Sequence, residues 1–213
     1  VKGLRIGVPR NYFFDLVDGE VDTAVRAAIE KLQSLGAIVR EVEIPFADQI
    51  MGVEFGLCLP EASAYHRDAL RERADLYGDD VRMSLEAGEL IPATDYITAL
   101  RVRQKMKDAW QAMYAEVDVV IAPSVAAPAT RREQEMIDWG DGNEEPVTPA
   151  FVRLSAPANV TGLPSIAVPC GFSDSGLPLS FQAIGRPFGE AQILRVAQAY
   201  ESATDWGTRI PAF

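Results

Sequence analysis

The sequence predicts an α/β protein, with a parallel or mixed sheet covered by helices. Residues 4–45 alternate a short apolar run, a stretch with helical periodicity and a second strand, which is the order of a crossover unit. The last third contains two further apolar runs bounded by Gly and Pro, followed by a closing helix. With 213 residues, 48% of them hydrophobic, the chain can bury a sizeable core without a disulfide or a metal.

The N-terminal unit reads as strand, helix and strand. The segment LRIGVPR, residues 4–10, is a short β-run that Pro9 ends. In residues 21–37 apolar side chains recur at helical spacing, and Gly36 stands where a C-terminal glycine cap belongs. Residues 38–45 then alternate apolar and charged side chains, so we expect a strand with one face towards water.

The middle of the chain is predicted to be helical and rich in charge. From Pro60, which suits a first helical position, to about Gly88 the pattern indicates two charged helices. Residues 93–117 predict a longer helix with one apolar stripe. The stripe consists of Tyr96, Leu100, Met106, Trp110, Met113 and Val117. Residues 118–124 read as a buried strand, and residues 131–146 as a long polar surface loop of the kind that covers an active site.

The last third is predicted to hold a hairpin and a helix. The apolar runs SIAVP and LSFQAIG are separated by a stretch that contains the turn sequence SDSG, residues 173–176. Residues 190–203 then carry apolar side chains on one helical face. The sequence contains no internal repeat and no low-complexity segment, and its length would fit one large domain or two small ones.

The charge and the cysteine content exclude several classes of function. A net charge of −11 and a pI near 4.6 argue against binding to nucleic acid or to a membrane surface, because such proteins concentrate Lys and Arg on one face. Cys58 and Cys170 lie far apart and give no pattern for a disulfide framework or a metal site. No signal-peptide core and no run of about 18 apolar residues occurs. We expect a cytoplasmic protein without a metal or a cofactor.

Catalytic machinery is hard to find in these residues. A Ser-His-Asp hydrolase needs an imidazole base, and the one histidine, His66, sits on a charged helix with no Gly-x-Ser-x-Gly elbow to serve. No Ser-x-x-Lys pair, Gly-x-Gly-x-x-Gly motif or phosphate-binding loop is present. The neighbours Asp79 and Asp80 point apart, as do Glu144 and Glu145, which disfavours acid and base work. We therefore predict no catalytic residue in this chain.

Arg103 is a charge that the helical pattern places in the apolar stripe. It follows Leu100 by three residues and precedes Trp110 by seven, so its guanidinium shares their face of the helix. A charge in such a place must find a partner. Two interpretations stay open: an internal ion pair or a side chain that extends to water, and an anchor for an anion or a carboxylate in a substrate pocket.

The segment PANVTGLPSIAVPCGFSDSGLPLSFQAIGRPFGE, residues 157–190, resembles the C-terminal half of the amidase signature family. In that family an Asn, a Gly-x-Pro, a Pro-x-Gly and a Gly-Leu-Pro before a Gln-containing strand occur in this order. The matching residues are Asn159, Gly162, Pro164, Pro169, Gly171, Gly176, Leu177, Pro178 and Gln182. LRIGVPRNYF, LGAIVREVEIP, EASAYHR, the pair Val102-Arg103 and DVVIAPSVAAPA also fall where the family has similar segments, so the likeness runs through the whole chain.

The resemblance implies the C-terminal part of the amidase signature fold, a mixed central sheet flanked by helices. It implies that residues 1–213 form the C-terminal half of one amidase signature domain. It also implies substrate-binding roles for Arg103, Asn159 and Gln182, while the glycines and prolines of the motif are expected to allow tight packing beneath the active site rather than to contact substrate. The family cleaves amides with a Ser, cis-Ser, Lys triad and a Gly/Ser-rich loop, which belong to the half that precedes LRIGVP. Nothing in residues 1–213 matches them. We expect a C-terminal half that is inactive alone and has the N-terminal half as its partner.

The substrate that the resemblance implies is a small amide or a urea-like molecule. The A subunits of tRNA-dependent amidotransferases use a matching arginine for a substrate carboxylate. They also carry an Asp seven residues before the motif Asn, where this chain has Val152, and an Arg-Tyr-Asp-Gly-type segment that is lacking after EAS. A glutaminase-like subunit of an amidotransferase complex is therefore an alternative, and a stand-alone binding or scaffold protein is another. A half-sheet leaves an open edge, so self-association is expected.

Overall fold

The computed structural model describes residues 1–140 and 142–209. The strands are β1 (Arg5–Pro9), β2 (Ile38–Val42), β3 (Val119–Pro123), β4 (Met136–Gly140), β5 (Asn143–Pro146), β6 (Ser165–Phe172) and β7 (Pro178–Gly185). The helices are α1 (Gly19–Ser34), α2 (Ile50–Arg73), α3 (Asp79–Gly88), α4 (Ala93–Met113), α5 (Val147–Val152), α6 (Ala156–Thr161) and α7 (Glu190–Glu201). Across the two described ranges, no helix combines the length and the apolar character needed to span a membrane.

The main sheet has five strands in the order β2-β1-β3-β7-β6. Strand β1 pairs in parallel with both β2 and β3, whereas β7 pairs antiparallel with β3 and with β6. The predicted mixed sheet, its N-terminal crossover unit and its C-terminal hairpin are therefore confirmed. Strand β6 ends the sheet, so its outer edge has no strand partner in the part of the chain that the structure describes.

The side chains of the central strand β3 enter two separate cores. Val119 and Ile121 pack with α1 and α7 on one face of the sheet. Val120 and Ala122 pack with α2, α4 and α6 on the other face. Successive side chains of a strand point to opposite faces, and all five residues of β3 are buried. An unbroken apolar run is what a strand covered on both faces requires.

Helix α2 begins at Ile50, not at Pro60 as the sequence predicts. Pro60 lies inside the helix, where it has no N–H to donate to the carbonyl of Gly56. The helix continues through this position because Ile50, Val53 and Leu57 bury one apolar face against α4 and α6. The burial of that face outweighs the local start signal that the proline gives.

Helix α4 begins where the sequence predicts but ends at Met113, so Val117 of the predicted stripe lies outside the helix. Met106 and Trp110 of the predicted stripe are buried, whereas Leu100 is 37% exposed. Ala99 is buried in its place, and a Cβ added at Gly56 of α2 would lie 3.3 Å from the Ala99 Cβ. The close approach of α2 and α4 at two small residues thus turns Leu100 outwards.

Helix α3 packs against α2 through backbone atoms. Gly88, at the end of α3, is buried, and a Cβ there would lie 2.6 Å from the carbonyl carbon of Leu59 and closer still to the Leu59 oxygen. The buried Ser63 hydroxyl lies in the same contact, 2.7 Å from the Leu59 carbonyl oxygen and 2.6 Å from that of Leu85. No side chain larger than hydrogen fits at Gly88 while the two helices keep this distance.

Residues 131–146 are not the continuous loop that the sequence predicts. Strands β4 and β5 form an antiparallel hairpin there, with Ile137 opposite Glu145. Ile137 is buried against Ala127 and Ala150, and this small apolar core shields one face of the hairpin from solvent. Asp141 lies outside the described residues. The use of this segment as an active-site cover stays a prediction.

Candidate functional site

Asn159 lies in a short helix that leads directly into the main sheet. Helix α6 ends at Thr161, and Gly162 caps it in the left-handed conformation, with φ 70°. The Gly162 N–H donates to the carbonyl of Ala158 at 2.8 Å. The chain then enters β6 at Ser165. The glycine of the motif therefore serves the turn between helix and strand.

Arg103 reaches the same end of α6 from the neighbouring helix α4. Its Nε donates to the carbonyl oxygen of Val160 at 2.7 Å. The last carbonyls of a helix lack partners within the helix, so this bond satisfies one of them. The Arg103 side chain is half-buried. Arg103 thus holds α4 to α6, and part of its guanidinium remains available to other groups.

Arg103 and Asn159 line one cavity, whose other wall is α2. The cavity has a volume of about 340 Å³, and Glu54, Cys58 and Glu61 contribute to its lining. These three α2 residues are spaced by four and three positions, so they share one face of the helix. The structure therefore brings together two of the three residues predicted as substrate-binding.

The half-buried Glu54 is the acid that faces Arg103 across the cavity. Burial raises the pKa of Glu54 above its ordinary value, while the nearby Asn159 side chain and the positive charge of Arg103 act in the opposite direction. The second acid, Glu61, accepts a hydrogen bond from the Tyr96 hydroxyl at 2.9 Å.

The thiol of Cys58 is poorly suited to act as a nucleophile in this cavity. Burial raises its pKa, and the nearby Glu54 and Glu61 raise it further, so the reactive thiolate is disfavoured. In residues 1–140 and 142–209 no group of three or more His, Cys, Asp or Glu side chains is arranged to hold a metal ion. The polar side chains that line the cavity can form hydrogen bonds and charge interactions.

Gln182 does not reach the cavity. It is 4% exposed, and its Nε2 donates to the carbonyls of Pro123 at 2.8 Å and of Leu154 at 2.7 Å. Its Oε1 accepts a hydrogen bond from the Ser165 hydroxyl at 3.1 Å. The side chain thus connects β7 with the end of β3, with β6 and with the segment before α6. Gln182 thus acts as an internal clamp between these segments, and its substrate-binding role stays a prediction.

Replacement of Gln182 by Leu is expected to lower the free energy of unfolding of the chain by about 2 kcal/mol. Leucine has a similar volume but leaves the carbonyls of Pro123 and Leu154 without their donor. Urea-induced unfolding at a fixed protein concentration measures the change. Gln198→Leu, on the exposed face of α7, is the matched control and should change stability by less than about 0.5 kcal/mol. Equal effects of the two variants would contradict the clamp.

The two acids of the cavity are residues that sequence reasoning missed. Glu54, Cys58 and Glu61 share a helix face only if the helix already runs through residue 54. A helix that begins at Pro60 leaves Glu54 outside it and hides this spacing. The apolar residues at positions 50, 53 and 57 carry the signal that would have extended the helix backwards.

The mixed five-stranded sheet with helices on both faces makes the chain an α/β protein. The match to the amidase family covers residues 1–194, and the chain belongs to the amidase signature family. The resemblance that the sequence motifs carry is thereby confirmed.

Individual relatives agree with this membership. An amidase of Pseudomonas putida is 53% identical over 211 residues, which cover 99% of this chain and 45% of that protein. The A subunit of the glutamyl-tRNA(Gln) amidotransferase of Roseiflexus sp. (strain RS-1) is 34% identical, with 99% of this chain and 47% of that protein covered. A crystal structure of an amidase superposes with a TM-score of 0.87 at 26% identity, over 95% of this chain and 46% of the other. The chain spans about half the length of these relatives.

Proposed function

We propose that this chain is the C-terminal half of an amidase that hydrolyses a small amide or a urea-like substrate. The observation that carries the proposal is the cavity between α2, α4 and α6, in which Arg103 and Asn159 converge in a chain of the amidase family. The 53% identity to a protein named amidase supports a small-molecule substrate. The cytoplasmic setting expected from the sequence belongs to the same proposal.

In this proposal the N-terminal half supplies the catalytic serines and the lysine, and residues 1–213 supply sheet strands and pocket walls. The serine attacks the carbonyl carbon of the amide, the amine leaves, and water releases the acyl group from the enzyme. The share of the relatives that this chain covers, 45% of the Pseudomonas putida amidase, supports the absence of the other half from this sequence. The chain alone is then inactive.

The free edge of β6 is the place where we expect the N-terminal half to add to the sheet. Unpaired strand edges recruit further strands, and β6 ends the described sheet. A second cavity of about 810 Å³ lies beside this strand and α7, on the face of the sheet opposite to the Arg103 cavity. Its size suits a segment of another chain. Without the other half, we expect a second copy to pair at β6, which gives self-association.

Two other functions are weaker proposals. A glutaminase-like subunit of an amidotransferase complex is suggested by the relative from Roseiflexus, but Val152 stands where the family resemblance implies an Asp in such subunits. A stand-alone binding or scaffold protein would have to leave the β6 edge open or cover it with another molecule. We therefore retain the amidase as the proposed function.

The test uses the full-length protein encoded by the gene that contains this chain. It is expected to release ammonia from simple amides and to react with serine-directed phosphonates. Arg103→Met and Asn159→Leu are expected to raise KM about tenfold, with a smaller change in kcat, because both alter the pocket wall and not the reacting groups. Lys105→Met, which removes an exposed charge from the same helix, is the matched control and should leave KM unchanged.

The outcomes test the amidase activity and the role of the Arg103 cavity separately. Absence of hydrolysis across a broad panel of amides, together with absence of phosphonate labelling, would overturn the proposed amidase. Hydrolysis with an unchanged KM in both the Arg103 and the Asn159 variants would keep the amidase but remove this cavity as its substrate site.

A further inference from the structure

We infer that Arg153 is a positioning residue for the Arg103 cavity, and that its ion pair with Glu145 of β5 fixes where α6 holds Asn159. Arg153 lies between α5 and α6, six residues before Asn159 in the chain. Neither Arg153 nor Glu145 is part of the cavity lining. The inference rests on the proposed function and adds the β4–β5 hairpin to the parts of the molecule that serve it.

Helix α6 has few means of its own to hold Asn159 in place. It has six residues, fewer than an isolated helix needs to be stable, and no side chain caps its N-terminus at Ser155. The Asn159 side chain is exposed, whereas the buried side chains of α6 are small. Apolar contacts are not directional. Polar contacts at the two ends of the helix therefore determine where Asn159 stands.

Each end of α6 is held by an arginine. At the C-terminal end, the Arg103 Nε donates to the carbonyl of Val160 at 2.7 Å. At the N-terminal end, the Arg153 Nε donates to the Glu145 Oε2 at 3.3 Å, and the Arg153 Nη2 donates to the carbonyl of Leu16. The Arg153 and Glu145 side chains are only 11% and 18% exposed. A hydrogen-bonded ion pair that is shielded from water is stronger than a pair on the surface.

Trp139 and Tyr12 complete the contacts around Arg153. The Trp139 indole N–H donates to the same Glu145 oxygen at 3.2 Å, and the Arg153 Cζ lies 5.8 Å from the centroid of the Trp139 ring, which is a cation–π contact. The Tyr12 hydroxyl donates to the Arg153 carbonyl at 2.6 Å. Arg153 is thus bound both by the hairpin and by the loop that follows β1.

These contacts lie where an α/β sheet commonly places its ligands. Tyr12 follows β1 and the hairpin follows β3, and these two parallel strands end at the same edge of the sheet. The carboxyl edge of parallel strands is the usual position of ligand sites. Loss of Arg153 or Glu145 loosens the N-terminal end of α6 and displaces Asn159, although every group that lines the cavity is still present. The hairpin thus acts on substrate binding through α6.

Hydrogen–deuterium exchange of the full-length enzyme, measured by mass spectrometry, tests the inference. Arg153→Met and Glu145→Gln are each expected to speed amide exchange in α6 about tenfold, because the N-terminal end of the helix opens more often. Glu144→Gln is the matched control for Glu145→Gln. Glu144 is exposed and points to the opposite side of β5, so its replacement should leave exchange in α6 unchanged.

Arg5→Met is the matched control for Arg153→Met. Arg5 also pairs with a carboxylate and donates to a backbone carbonyl, through its contacts with Asp118 at 2.8 Å and with Ala115 at 2.9 Å. It stands at the start of β1, at the opposite end of the strand from Tyr12. Its loss is expected to lower stability but to leave both exchange in α6 and KM unchanged.

Kinetics on the same enzyme test whether Arg153 acts through Asn159. Arg153→Met is expected to raise KM for a simple amide about fivefold with little change in kcat, because it displaces a pocket wall and no reacting group. In the Asn159→Leu background the same substitution should raise KM by less than about twofold, since the side chain that it displaces is already absent.

Each result supports or overturns the inference. Unchanged exchange of α6 in Arg153→Met and Glu145→Gln overturns it, and so does a rise spread evenly over the enzyme, which indicates a loss of global stability. An equal rise of KM with and without Asn159 shows that Arg153 does not act through that residue and overturns it as well. Failure of the unmodified enzyme to hydrolyse any amide overturns the proposed function, and exchange then still decides whether Arg153 and Glu145 hold α6.

Discussion

The isolated 213-residue chain is expected to hydrolyse amides no faster than the solvent does, a loss of at least about a million-fold relative to the full-length enzyme. In the described residues the single histidine, His66, contacts the hydroxyl of Tyr77 at 3.0 Å and no serine. The hydroxyl of Ser124 contacts that of Ser180, and the one of Ser63 lies between backbone carbonyls. No serine in these ranges therefore has a side-chain base to activate it.

Ammonia release from a panel of amides measures this loss, and co-expression with the N-terminal half is the control that should restore turnover. Light scattering on the same samples should show the isolated chain self-associated and the co-expressed halves as one defined complex. Turnover by the pure chain would contradict the proposal that the N-terminal half supplies the catalytic residues. A stable monomer with cooperative unfolding would favour the stand-alone binding protein.

Replacement of Gly88 by Ala is expected to lower the free energy of unfolding by about 3 kcal/mol, a large effect for the addition of one methyl group. The added Cβ would lie 2.6 Å from the carbonyl carbon of Leu59, and a backbone atom cannot move aside as a flexible side chain can. Helices α2 and α3 would have to separate, which also disturbs the buried Ser63. Urea-induced unfolding at a fixed protein concentration measures the change.

Gly52→Ala is the matched control for this substitution. Gly52 is also a helical glycine, in α2, but a Cβ there would meet no atom within 4 Å. Alanine loses less conformational entropy on folding than glycine, so this variant should be more stable by about 0.5 to 1 kcal/mol. Opposite signs for the two variants support the close helix contact. A gain in stability at Gly88, like that at Gly52, would contradict it.

The main sheet could be predicted from the sequence because its strands carry their own signals. The run Val119–Pro123 is apolar without interruption, and the two strands of the C-terminal hairpin are bounded by Gly and Pro. The hairpin of β4 and β5 could not be predicted in the same way. Its one buried apolar side chain, Ile137, lies among charged residues. Ile137 is buried only because it packs against Ala127 and Ala150, which are ten or more residues away in sequence.

The candidate site was predicted in part. The helical position of Arg103 and the motif around Asn159 indicated two of its residues, and the structure places them in one cavity. Glu54, the acid that lines the cavity with Arg103, lies six residues before Pro60, in the part of α2 that the proline signal leaves out. The start signal of Pro60 is a local feature of the sequence. The burial that overrides it depends on the packing of α2 against α4 and α6, which exists only in the folded chain.

Strand β3 also has a consequence for the order in which the protein is made. It lies between β1 and β7, and its pairing partner Gly185 for Val119 is synthesised long after it. While the ribosome adds the intervening residues, the edge of β3 that will pair with β7 has no strand partner. Until Pro178–Gly185 emerges, the sheet therefore carries an unpaired apolar strand edge, which promotes aggregation.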